Sequence, residues 1–143
     1  MIQHETAVDR FFQEFQRDSN REDIPSMVSH FAETFLAAGP QGAQCVRSAD
    51  FAMALPRRKQ LFARLGCQKT GLESLQLTLL DGRYIMAKTT WKFNFTREGT
   101  EIVELLVDST YLLDTSENKF KIVLYLSHQD ILELLRQRGI LEN

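Results

Sequence analysis

Hydrophobic and polar residues alternate most regularly in three runs, Arg83–Arg97, Glu101–Asp114 and Lys119–Leu126. A period of two places residues i, i+2 and i+4 on one face, the pattern of a strand with two unlike sides. In the first run Ile85, Ala87, Thr89, Trp91, Phe93 and Phe95 share a face. In the second, Val103, Leu105, Val107, Ser109, Tyr111 and Leu113 do so. In the third, Phe120, Ile122, Leu124 and Leu126 oppose Lys121, Val123 and Tyr125. Glu98-Gly99 and Ser116-Glu117-Asn118 break the runs as short polar turns, so the pattern predicts an antiparallel meander. A fourth strand precedes it from Lys69, with Leu75, Leu77 and Leu79 alternating, and Asp81-Gly82 supplies the hairpin turn.

Upstream the period changes. Val8, Phe11, Phe12 and Phe15 follow i, i+3, i+4, i+7 and predict a helix over 4–18. Asp18-Ser19-Asn20 ends it, because these side chains compete for backbone hydrogen bonds. Ile24, Met27, Val28 and Phe31 repeat the spacing over 22–31, with Pro25 in the first turn. A short strand over 33–38 follows, and Gly39-Pro40-Gln41-Gly42 turns the chain toward an extended piece at 43–46. Ser48 is the expected N-cap of a third helix. Pro56 either kinks that helix or opens another at its first position. Leu61, Phe62 and Leu65 form its buried stripe, and Gly66 is placed to end it. Ile131, Leu132, Leu134 and Leu135 predict a last helix over 128–138, with Gly139 after it. Helices before strands mean α+β. The expectation is one domain, 1–143, with a strongly curved antiparallel sheet packed against three N-terminal helices, and a C-terminal helix.

Composition narrows the function classes. The 143 residues carry a net charge of −2, without the basic footprint of a nucleic-acid binder. No apolar run approaches the ~20 residues of a membrane span. Residues 1–5 do not read as a secretory signal, so a cytoplasmic location is expected. Cys45 and Cys67 stand far apart and match no metal spacing, and in a reducing compartment they stay unpaired. The three histidines are also dispersed, so no metal is expected. Ten phenylalanines are many for this length and point to an aromatic core or an aromatic-lined cavity.

The order of elements, with Ile24–Phe35, Trp91–Phe95, Ser109–Leu113 and Phe120–Ser127 as its most telling stretches, resembles the NTF2-like superfamily, in particular its SnoaL-like branch. The resemblance implies a cone: a bent sheet closed by helices around a pocket. The superfamily holds isomerases, dehydratases, cyclases, hydrolases and transport adaptors, so fold alone does not select a reaction. Its enzymes usually place Asp, His or Tyr in the pocket as acid or base, and its isomerases pair such an Asp with a Tyr. No cofactor is implied.

The apolar faces give the expected lining: Phe31, Phe35, Phe62, Trp91, Phe93, Ser109 and Tyr111, with Phe15 and Leu105 deeper. These residues either bind a small, largely apolar ligand or fill a core that serves protein–protein contact. Tyr111 is the best polar handle, as a donor to a ligand oxygen or as a satisfied core tyrosine. Asp108, mid-strand, points away from Trp91 by strict alternation. It either pairs with Lys88 or Lys92 or is turned inward by a bulge. His30 suits a helix C-terminus better than a base. Asp50 suits a helix start and would matter only at the pocket mouth. Ser127 is the expected cap of the last helix, which makes His128 structural. Arg57, Arg58 and Lys59 read as a solvated helix face or a greeting for an anion. The opposite face of the sheet mixes Met86, Leu106, Leu112 and Val123 with charges, which predicts a homodimer through the sheet.

Overall fold

The computed structural model describes residues 2–21, 23–97 and 101–142. The Glu98-Gly99 turn and the Glu22 start of the second helix lie outside the described residues. The elements are α1 (Ile2–Ser19), α2 (Ile24–Val28), β1 (Phe31–Gly39), β2 (Gly42–Arg47), α3 (Ser48–Arg64), β3 (Cys67–Leu79), β4 (Tyr84–Arg97), β5 (Glu101–Asp114), β6 (Lys121–Ser127) and α4 (Ile131–Gln137). The six strands form one sheet in the order β2-β1-β6-β5-β4-β3. Neighbours run antiparallel except β1 and β6, which are parallel. This is the expected α+β architecture, three helices before the long strands and one after.

The β4–β5 pair carries the pattern that the alternation predicts. Its register is unbroken from Tyr84↔Asp114 to Arg97↔Glu101. Ile85, Ala87, Thr89, Trp91, Phe95, Val103, Leu105, Val107, Ser109, Tyr111 and Leu113 are all buried. Helix α1 lies across this inner face, with Val8, Phe11, Phe12 and Phe15 all buried. Phe12 meets Tyr111 edge-on at 5.3 Å, and Phe15 packs on Trp91 at 5.7 Å. Burying each such side chain stabilises the fold by about 1.5–3 kcal/mol. A second cluster joins Phe62 of α3 and Leu135 of α4 to Phe95, Leu105 and Val107.

Several local expectations change. Helix α2 is only five residues long, because Asp23 caps it at Ser26 and Ser29 ends it. Phe31 therefore opens β1 and does not close a helix. Helix α3 runs unbroken through Pro56, and Ser48 lies inside it; its N-cap is Arg47, without a side-chain cap bond. Helix α4 is capped by Asp130, whose carboxylate accepts from the Leu132 and Glu133 N–H groups at 3.1 and 3.2 Å. Ser127 ends β6 instead, donating to the Gln129 carbonyl at 2.8 Å.

Strand β6 departs from strict alternation. Leu113 pairs with Ile122 but Leu112 with Leu124, so Val123 is an extra residue. Such a bulge re-aims the side chains beyond it. Ile122 and Tyr125 consequently both face inward, and Tyr125 stacks on Tyr111 at 5.2 Å. Among the described residues, no helix is long and apolar enough to cross a membrane.

Candidate functional site

The bent sheet, α3 and the β1–β2 hairpin enclose an open cavity of about 1110 Å³. Its lining draws on both hydrophobic clusters, so it lies where the two halves of the core fail to meet. Phe31, Phe35, Phe62, Trp91, Phe93, Ser109 and Tyr111 all border it, as does Phe15. Leu105 does not; it packs against Phe62 and Leu135 in the second cluster.

Other lining residues escape the strand pattern. Phe51, Leu55, Arg58 and Phe62 stand at i, i+4, i+7 and i+11 on α3 and present one stripe to the cavity. That spacing is visible in the chain, but leaving Pro56 as either a kink or the start of another helix hides it. Phe51 closes on Phe31 and Phe35 at 4.7 and 5.4 Å. Tyr125 reaches the cavity through the bulge at Val123, for which the sequence has no local signal.

Three donors converge on the sheet side of the cavity. The Tyr111 ring packs against Phe12 and Phe15, and burial raises its pKa well above that of a free tyrosine. Tyr125 pushes it the same way. The Trp91 N–H, the Ser109 hydroxyl and the Arg58 charge favour the ionised form but do not prevail. Tyr111 is thus a permanent hydrogen-bond donor near neutral pH. The Trp91 N–H lies beside the Tyr111 oxygen but not in bonding geometry, and this buried Nε1 has no hydrogen-bond partner among the described residues. An unpaired buried donor of this kind costs about 1–3 kcal/mol.

The charge at the cavity is one-sided. Arg21, Arg58, Lys59 and Arg136 line it, and Asp130 is the one carboxylate among the described lining residues. Asp130 is engaged as the α4 cap and by Gln41 Nε2 at 2.6 Å. The basic run at 57–59 divides its work. Lys59 Nζ donates to the Ser19 and Arg21 carbonyls at 2.9 and 2.8 Å, tying α3 to the end of α1. The Arg58 guanidinium lies 4.9 Å above the Phe62 ring at the cavity wall. Cys67 also borders the cavity, and burial pushes its thiol up, against Thr70, Arg58 and Lys59. Cys45 and Cys67 are both unpaired.

The other candidate acids and bases lie elsewhere. His30 is neither a cap nor a surface residue: it is buried, and its Nε2 meets the Asp18 carboxylate at 2.7 Å. Phe11 and Phe15 enclose the ring, and its Nδ1 is unpartnered. Burial lowers the His30 pKa although Asp18 pulls it upward. Asp18 is held below the usual carboxylate range, because hydrogen bonds from Arg17 and His30 outweigh its burial. The pair is therefore a neutral imidazole donating to a carboxylate, and neither member lines the cavity. Asp50 is exposed in the first turn of α3, away from the cavity. Asp108 stays on the outer face, as strict alternation predicts. Its partners are not the expected lysines but Thr90 Oγ1 at 2.7 Å and Gln129 Nε2 at 3.1 Å, and these keep its pKa low. Lys92 pairs with Glu73 at 3.5 Å. His128 bonds Thr110 Oγ1 at 2.7 Å on that same side.

The arrangement can hold an apolar body among aromatic rings and offer it donors. Among the described lining residues it has no histidine and no free carboxylate to serve as a base.

Residues 4–130 match the family described as NTF2-like protein (DUF6841). No curated protein matches the chain. An NTF2-like protein with a cystatin-like fold from Novosphingobium aromaticivorans superposes with a TM-score of 0.74 at 12% identity, over 99% of this chain and 91% of its own. An NTF2-like protein of unknown function from Shewanella oneidensis gives 0.69 at 12% identity, over 87% and 98%. A ketosteroid isomerase-like protein from Erwinia carotovora atroseptica gives 0.61 at 14% identity, over 87% and 91%. At these identities the likeness is one of fold.

Proposed function

The chain belongs to the NTF2-like family, and from that premise we propose that it binds a small, largely apolar molecule in the cavity between α3 and the sheet. The observation that carries this reading is the open volume bordered by Phe31, Phe35, Trp91 and Tyr111, which the aromatic side chains surround without filling. Its size lies just above the ~300–1,000 Å³ of small-molecule sites, and its mostly apolar wall with a few donors fits that use. Binding is favoured over acid–base turnover. Tyr111 is held protonated, and the buried Asp18–His30 pair is not among the lining residues.

A thermal-shift screen of apolar and amphipathic molecules, repeated on Trp91→Ala, tests the reading. The expected result is a ligand that raises the wild-type melting temperature by several degrees and leaves Trp91→Ala unmoved. Equal shifts in both proteins would place binding elsewhere, and no shift across a broad set would favour a protein-interaction role.

Self-association is a second part of the proposal. Ile102 and Leu106 are 63% and 54% exposed on the outer face of β5, large apolar side chains that a free sheet face does not need.

A further inference from the structure

We propose that the natural ligand is an organic anion, an apolar body ending in a carboxylate or similar acidic head, whose oxygen accepts from Trp91 Nε1–H and Tyr111 Oη–H beneath the Arg58 charge. This rests on the cavity-binding reading and adds the chemical class.

Two independent observations lead to it. The first is the orphaned donor. Trp91 borders the cavity and is 4% exposed, and its N–H, the one polar atom of the side chain, is buried and unpaired. Buried donors are almost always satisfied, and an acceptor carried in by a ligand would recover the cost. Beside it, Tyr111 is locked as a hydroxyl. Trp91 can only donate, and Tyr111 can donate beside it, so an acceptor satisfies both.

The second observation is charge. A chain of net charge −2 places four cationic side chains and one carboxylate around this cavity, and the carboxylate is already occupied by Gln41 and the start of α4. Low-dielectric walls lined by one sign of charge concentrate ligands of the other. Lys59 is fixed on backbone carbonyls and Arg136 is shared with Glu133 at 3.3 Å. Arg58 sits on the same stripe of α3 as Phe51 and Leu55, and its charge is felt at the Tyr111 oxygen. A neutral acceptor, such as a ketone, would satisfy Trp91 and Tyr111 but make no use of the cations. The carboxylate uses both, and charged acceptors bind roughly twice as strongly as neutral ones.

The test is a matched pair, 8-phenyloctanoate and 8-phenyloctan-1-ol, titrated calorimetrically at pH 7.5 in 50 mM and 300 mM salt. The acid should bind at least tenfold more tightly than the alcohol, and the higher salt should weaken only the acid. In Arg58→Gln, a substitution at an exposed position, the preference of the cavity for the acid over the alcohol should fall severalfold. Tyr111→Phe keeps its ring and loses only the hydroxyl, Trp91→Phe keeps an aromatic ring without the N–H, and each should weaken the acid. Acid and alcohol binding equally well, or a preference untouched by all three substitutions, would overturn the inference while leaving cavity binding intact. Failure of both probes to bind at millimolar concentration would overturn the inference and the reading beneath it together.

Discussion

His30 carries an unusual burden for a side chain outside the cavity lining. Its Nε2 is satisfied by Asp18, but its Nδ1 faces Phe11 and Phe15 with no partner. Protonating Nδ1 would place an N–H and a charge among rings, which is why burial lowers the pKa although Asp18 and Glu14 raise it. Lys119 adds to the lowering. The sign of the linkage follows. A histidine whose folded pKa lies below its unfolded value, about 6.5, leaves stability complete above that pH and drains it as the pH falls below. Asp18, also lowered, adds a further loss below its unfolded value of about 3.9. Urea midpoints should therefore decline between pH 6.5 and pH 5, and the decline should shrink in His30→Gln. An unchanged decline in that variant would assign it to other groups. Asp18→Ala should cost about 1–3 kcal/mol at pH 7.5, since it leaves the His30 donor buried without an acceptor. None of this is legible in the sequence. Asp18 reads as a helix terminator, and its partner stands twelve residues away, brought back only because α2 stops after one turn.

At the scale of elements, what could be read depended on whether each element kept its period. The β4–β5 pair keeps it throughout, so the inner residues from Ile85 to Leu113 and the outward direction of Asp108 followed from alternation alone. Strand β6 gains one residue at Val123, so Tyr125, read as outward, stands in the cavity wall. Alternation cannot report a bulge, because the extra residue is defined by its partner strand. Helix α3 hid its stripe for another reason: Pro56 divided the reading where it does not divide the helix. The exit from α3 gives the element-scale prediction. Gly66 adopts φ +89°, and a Cβ there would run into the Thr96 carbonyl of β4. Its own carbonyl accepts from the Thr96 N–H at 2.8 Å, which fixes the close approach. Gly66→Ala should therefore destabilise, by more than the ~1 kcal/mol that the same change gains where the backbone permits it, seen as a lower urea midpoint with an unchanged slope. Because β3 and β4 are joined there, the cavity wall at Phe93 should loosen with it.

For the whole molecule, the two faces of one strand carry the two parts of the proposal. Residues 103, 105, 107, 109 and 111 of β5 turn to the helices and the cavity. Ile102 and Leu106 turn outward and stand exposed, opposite Thr96 and Lys92 on β4. Around them Lys88 and Lys92 lie near Glu104 and Asp108, charges of both signs on one surface. In a two-fold dimer the same patch meets itself with residue i against j and j against i, so a mixed patch can complement itself where a single-sign patch would repel. The expected assembly is a dimer of the 16.5 kDa chain, formed sheet to sheet. Sedimentation equilibrium at tens of micromolar should return twice the chain mass for wild type. Ile102→Glu combined with Leu106→Glu should return the single mass, because four new carboxylates would face one another across the axis. A wild type that sediments as a monomer would refute the dimer outright. The cavity makes the result specific: period-two geometry keeps these two side chains away from it, so the monomeric variant should bind the cavity's ligands as wild type does. Loss of binding on dissociation would mean that the second subunit helps to shape the site.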